Sequence, residues 1–110
     1  MAEYITIATV DQLPAGERIV VEVGETYIAV FNVAGTYYAI EDVCTHDEGP
    51  LAEGTVLAEN SDNPKIECER HGATFEFKTG KPTFPAVLPV KRFPVRVEGN
   101  EVQINIDEPL

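Results

Sequence analysis

Short apolar runs, several of them alternating with polar positions, follow one another along the chain with turn formers between them. Ile5 and Ile7 alternate with Tyr4 and Thr6, which predicts a short strand. Asp11 to Gly16 is turn-rich, and the β-branched run Arg18 to Val23 predicts a second strand. Gly24-Glu25 breaks it. Thr26 to Val33 is almost continuously apolar and aromatic, and Thr36 to Ile40 follows Ala34-Gly35, so the two predict a hairpin. Thr55 to Ala58 and Lys65 to Glu67 flank the polar stretch Glu59 to Pro64, a predicted surface tip. Thr74 to Phe77 alternates and ends at Thr79-Gly80. Phe93, Val95 and Val97, then Val102, Ile104 and Ile106, alternate on either side of Gly99-Asn100 and predict a closing hairpin. Pro94 has no N–H for a ladder, which predicts an edge position or a bulge there. No stretch keeps a helical period. The pattern predicts an all-β antiparallel sandwich or barrel, with residues 1–110 as one domain.

Composition narrows the partners more than the fold. The chain has 110 residues, near the commonest domain size and enough for one modest core. Its formal net charge is −11. Such a surface repels nucleic acid and anionic membranes and favours a basic protein face. The acidity also favours a monomer. No apolar run approaches the length of a membrane span. Met1-Ala2-Glu3-Tyr4 has neither the charged nor the apolar region of a signal peptide, so a cytoplasmic location is expected.

The chemistry is concentrated in two short motifs. The chain has two cysteines and two histidines, and all four fall in Cys44-Thr45-His46 and Cys68-Glu69-Arg70-His71. The 21 residues Asp47 to Glu67 lie between the motifs. Thiolate and imidazole are ligands for iron, zinc and copper. If Thr55 to Ala58 and Lys65 to Glu67 form one hairpin, its base sets the two ligand loops side by side. Each loop then offers one thiolate and one imidazole. A single tetrahedral zinc fits such a set, although zinc fingers usually pair like with like, as C-x₂₋₄-C and H-x₃₋₅-H. A disulfide between Cys44 and Cys68 would leave the histidines unexplained, and two structural thiols would leave the spacing unexplained.

Mixed pairing as C-x-H followed by C-x-x-H resembles the Rieske iron–sulfur family. Gly49-Pro50-Leu51 and Gly54 extend the likeness of the first loop, and Gly72 that of the second. In the stiff apolar loop Pro82 to Ala86, Phe84-Pro85-Ala86 stands where that family has a proline loop over its cluster, and Val90 to Ile106 resembles the closing hairpin of its small soluble ferredoxins. The resemblance implies a Rieske-like fold with a cluster-binding part over about residues 42–86, built from two loops and the proline loop. It implies one [2Fe–2S] cluster per chain, with Cys44 and Cys68 on one iron and His46 and His71 on the other. The intervening segment is longer than the family usually has, and the polar tip Glu59 to Pro64 absorbs the excess.

The role implied is one-electron transfer from a ferredoxin reductase to a terminal oxygenase, with the edges of His46 and His71 as the contact point and no substrate chemistry in this chain. Asp47 and Glu48 directly follow a ligand and serve either docking or the loop itself. With neutral imidazoles, two ferric ions, two sulfides and two thiolates sum to zero charge, so an electron is added more readily than to a four-cysteine centre. High-potential members add a disulfide between the loops and Ser and Tyr hydroxyls near the sulfurs. Gly49, Arg70, Ala73 and Phe75 stand at the matching positions here, which predicts a potential at the low end of the family's range. Phe75, Phe77, Phe84 and Phe93 are expected to serve packing. Two other roles remain: a small Rieske-like subunit of a larger oxidoreductase such as nitrite reductase, and a zinc-binding interaction module.

Overall fold

The computed structural model describes residues 4–43, 50–68, 72–84, 86–106 and 110. These form ten strands and no helix. They are β1 (Ile5–Thr9), β2 (Arg18–Val23), β3 (Thr26–Val33), β4 (Thr36–Glu41), β5 (Thr55–Leu57), β6 (Lys65–Glu67), β7 (Thr74–Glu76), β8 (Arg92–Phe93), β9 (Val95–Glu98) and β10 (Glu101–Ile104). All pairings are antiparallel, in three sheets ordered β1-β10-β9, β2-β3-β4-β8 and β5-β6-β7.

The unbroken apolar run of β3 follows from its place between two cores. Alternate side chains point to opposite faces of a strand. Ile28 and Val30 join Leu13, Ala39, Phe93, Val102 and Ile104 in a core under the β1-β10-β9 sheet. Ala29, Phe31 and Val33 face the other way, into a core shared with Leu51, Ile66, Phe75 and Phe77 of the β5–β7 region. A strand buried on both faces has little use for polar positions. Phe31 meets Phe77 edge to face at 4.9 Å, and Tyr38 stacks on Phe77 at 5.2 Å. These rings tie the small sheet to the four-stranded one.

The β3–β4 turn is formed by Ala34 and Gly35, with φ of 52° and 96°. Positive φ at both central residues is the type I′ requirement, which matches the twist of a hairpin. Asn32 supports the turn: its Oδ1 accepts the Gly35 N–H at 2.8 Å, while its Nδ2 donates to the Leu13 carbonyl at 2.9 Å.

Three expectations are corrected in detail. The run predicted from Phe93 through Val97 is two strands in different sheets. β8 pairs with β4 and β9 with β10, so Pro94 marks a change of sheet, and the strands on either side of it are both sheet edges, the edge position expected of a proline. The β1 register shifts between Thr6 and Ala8, which interrupts the simple alternation of Ile5 and Ile7. Ala8 is buried, whereas Ile5 stays partly exposed at the sheet end. β5 stops at Leu57, because Ala58 takes a φ of 55° and opens the turn toward Ser61.

Candidate metal centre

The sequence places the proposed ligands at the ends of strands that the fold brings together. β4 leads into the first ligand loop and β6 into the second, while β5 pairs with β6 through Thr55↔Glu67. The far end of the first loop therefore lies against the start of the second. Gly54 makes the contact: a Cβ there would collide with the Glu67 carbonyl oxygen. Only glycine allows the backbones to meet this closely.

Each loop is closed at its neck. Asp42 and Ala52 bracket the first, and the Asp42 carboxylate accepts the Ala52 N–H at 2.7 Å. The Cys68 N–H donates to the Ala73 carbonyl at 2.7 Å, and the Gly72 N–H donates back to the Cys68 carbonyl at 3.2 Å. Gly72 makes this turn with φ of 75°, a conformation that glycine adopts without strain.

Cys68 is 2% exposed and forms no disulfide. It belongs to the same apolar cluster as Leu51, Ala73, Phe75 and Ala86. A buried thiol beside two closed loops fits a thiolate ligand to a sulfide-bridged iron pair. The other three proposed ligands, Cys44, His46 and His71, lie outside the described residues, as do Asp47, Glu48, Gly49 and Arg70. Ala73 and Phe75 are fully buried next to this thiol in sequence and cluster, and neither side chain carries a donor.

The proline loop hangs from β7 beside the second ligand loop. The Thr83 N–H donates to the Thr74 carbonyl at 2.8 Å, the Thr74 N–H donates to Thr83 Oγ1 at 2.9 Å, and the two hydroxyls lie 2.9 Å apart. Pro82 bridges to Phe75, and the Ala86 N–H donates to the Thr83 carbonyl at 3.0 Å. Ala86 is buried, so this end of the loop is fixed.

Of the four phenylalanines assigned to packing, Phe75, Phe77 and Phe93 are buried, but Phe84 is 87% exposed. Val87 and Leu88 follow it at 78% and 60%. Apolar residues in a proline-rich loop read as packing in the sequence. The backbone bonds at Thr83 and the burial of Ala86 leave Phe84 outside the core. The result is a firmly anchored apolar tip on an otherwise acidic chain.

The Thr79 hydroxyl donates to Glu76 Oε1 at 2.7 Å and is the main cause that lowers this carboxyl's pKa, with Asn63 next. A cavity of about 480 Å³ is lined by Tyr37, Tyr38, Phe77, Arg92, Phe93 and their neighbours. Among the described residues, its lining takes none from the ligand loops or the proline loop.

Comparison with known proteins covers most of the chain. The model of the Rieske [2Fe–2S] domain matches residues 3–94. The biphenyl dioxygenase ferredoxin subunit of Pseudomonas sp. (strain KKS102) is 38% identical over 103 residues, covering 93% of this chain and 91% of its own. The ferredoxin of carbazole 1,9a-dioxygenase from Nocardioides aromaticivorans IC177 superposes with a TM-score of 0.81 at 35% identity, over 92% of this chain and 95% of that one. A solved complex of reduced oxygenase and oxidized ferredoxin in carbazole 1,9a-dioxygenase contains a chain with a TM-score of 0.81 at 34% identity, over 93% of this chain and 92% of that one. A putative nitrite reductase small subunit from Mycobacterium tuberculosis shares the fold, with a TM-score of 0.82 at 17% identity over 96% of each chain. The family match spans both ligand motifs and most of the chain, and the described architecture agrees with it: this chain belongs to the Rieske [2Fe–2S] domain family.

Proposed function

We propose that this chain is a one-electron carrier that passes electrons from a reductase to a terminal oxygenase, with Cys44, His46, Cys68 and His71 holding one [2Fe–2S] cluster. The observation that carries it is the buried, unbridged Cys68 at the neck of a closed loop, beside an anchored apolar tip. When bound, such a cluster takes up and gives back one electron. The chain's own residues set where that happens: two braced loops present the ligands, and Phe84, Val87 and Leu88 offer a partner a dry contact next to them. Transient redox partners meet over small areas, for which three large apolar side chains are a sufficient centre. The oxygenase complex of the carbazole system supports the choice of partner.

Substrate chemistry belongs to that partner. An oxygenase of this class also needs a mononuclear iron held by two histidines and a carboxylate. Both histidines of this chain are committed to the cluster. The likeness to a nitrite reductase small subunit, at 17% identity, supports the fold alone, whereas the ferredoxin relatives stand at 30–38%. No helix among the described residues is long and apolar enough to cross a membrane, and the proposed place of action is the cytoplasm.

The decisive experiment is the visible spectrum of freshly purified protein before and after dithionite, with iron and acid-labile sulfide assayed in the same tube. A brown protein that bleaches on reduction, with about two irons and two sulfides per chain, is the expected result. A colourless protein whose stoichiometric zinc resists anaerobic iron–sulfide reconstitution would overturn it. The potential is a second expectation. Fully buried Ala73 and Phe75 give the cluster sulfurs no side-chain donors, so the reduced, more negative state is less stabilised. Potentiometric titration should place the midpoint below about +100 mV, within a family range of roughly −150 to +300 mV. A clearly higher value would show that other groups supply the missing hydrogen bonds.

A further inference from the structure

Arg18 lies at the start of β2, 26 positions before Cys44 and outside both ligand motifs. Its Nη1 nevertheless donates to two carbonyls at the far neck of the first ligand loop, Ala52 O at 2.9 Å and Gly54 O at 2.6 Å. The guanidinium also lies over the Phe31 ring, 5.0 Å from its centroid. Phe31 is fixed in the core by its contact with Phe77. Arg18 thus connects a rigid part of the four-stranded sheet to a loop of a different sheet region.

The Ala52 residue is held from both sides. Asp42 accepts its N–H and Arg18 donates to its carbonyl. Two residues on, Gly54 is pressed against the Glu67 carbonyl, and Glu67 immediately precedes Cys68. Force on the first loop is therefore transmitted to the second ligand strand through backbone contact. We infer that Arg18 and Asp42 form a clasp that fixes the two ligand loops against one another, making Arg18 a positioning residue for the metal centre. This rests on the assignment of Cys44, His46, Cys68 and His71 as ligands.

Two ordinary roles for Arg18 do not account for this arrangement. A surface arginine serving solubility has no need of two backbone acceptors. One serving only the fold would brace strands, whereas both of these acceptors lie in the short connection between the first ligand loop and β5. Residues that support metal ligands from behind typically change metal affinity roughly 10–100-fold when replaced.

The test uses the full chain loaded with its cluster. Arg18→Met keeps the length of the side chain and removes its donors. Arg18→Lys keeps the charge but not the planar fork. Arg96→Met is the control, since Arg96 bonds Gln103 and stacks on Tyr4, at 4.0 Å, in the β1-β10-β9 sheet. Each protein is challenged anaerobically with a ferrous chelator, loss of visible absorbance is timed, and the reduced form is examined by electron paramagnetic resonance. Arg18→Met should lose its cluster roughly tenfold faster than the parent, with shifted g values. Arg18→Lys should fall between the two, and Arg96→Met should match the parent in both readouts.

Loss within about twofold of the parent for Arg18→Met, on the same retention scale, would overturn the clasp, as would equal acceleration by Arg96→Met. Should Arg18→Met fail to fold, Arg18→Lys decides: faster loss with moved g values supports the clasp, and parental behaviour overturns it. A parent chain that takes up no iron and sulfide would sink the ligand assignment itself. A stably loaded parent with an indifferent Arg18 would sink the clasp alone.

Discussion

Ala34 is a small residue in a position made for another. Its φ of 52° puts an alanine in the left-handed region at the first central position of the β3–β4 turn. That conformation costs a residue with a Cβ about 1–2 kcal/mol, and glycine would return about 0.4–1 kcal/mol of this as extra freedom in the unfolded chain. Ala34→Gly should therefore stabilise the fold by about 0.5–1 kcal/mol, read as a higher urea midpoint with an unchanged slope. An equal or lower midpoint would mean that the turn relaxes with alanine in place. Tyr38 gives a residue-scale expectation for pH. Burial raises its phenol pKa above the usual value near 10.0. A raised folded pKa favours the neutral form, so its contribution is complete below the unfolded pKa and is lost as pH climbs through the folded one. Tyr38→Phe keeps the ring on Phe77 and removes the proton. It should flatten the loss of stability above about pH 10, whereas an unchanged alkaline slope would assign that loss to other groups.

At the scale of elements, the sequence was most informative where one face or one motif decided the outcome. The β3–β4 and β9–β10 hairpins were legible because their turns carry Gly and their strands carry enough apolar residues to define them. The pairing of β5 with β6 followed from the polar tip between them. What stayed hidden depends on tertiary partners. Pro94 announced a break in the ladder but not that β8 and β9 belong to different sheets, because the choice of neighbour is made by β4 and β10. The β1 register shift has no local signature in Ile5–Thr9. Arg18 reads as a polar residue opening a strand, and only the approach of the Ala52–Gly54 backbone gives it a task. The proline loop shows the same division: its stiffness was legible and its suspension from β7 was not. Thr83→Val keeps the shape of that residue while removing the acceptor of the Thr74 N–H and the hydroxyl pair. The expected cost is about 1 kcal/mol, small because the bonds are exposed. The informative readout is hydrogen exchange by mass spectrometry over residues 72–84, which should speed up there and not in β3. Uniform acceleration throughout the chain would point to general destabilisation instead.

At the scale of the whole molecule, charge and shape make different contributions to meeting a partner. A net charge of −11 acts at a distance. It draws a basic face toward the protein and is screened over about 10 Å at 0.1 M salt and about 3 Å at 1 M. The apolar tip of Phe84, Val87 and Leu88 acts only on contact, through area removed from water. Replacing Phe84, at 87% exposure, should leave fold stability within about 0.5 kcal/mol, as is usual for a surface side chain with no specific role. The two contributions then separate in one experiment, the rate of electron delivery to an oxygenase measured across salt concentrations. For the parent, the rate should fall steeply as salt rises, because attraction before contact is lost. For Phe84→Ser, the whole curve should drop while keeping the same slope, since the steering charge is untouched and only the contact is poorer. A flat dependence for the parent would remove the electrostatic account of partner choice. A parental curve for Phe84→Ser would place the contact elsewhere, on the ligand loops themselves. A changed slope would show that the tip orders nearby charges as well as burying apolar surface.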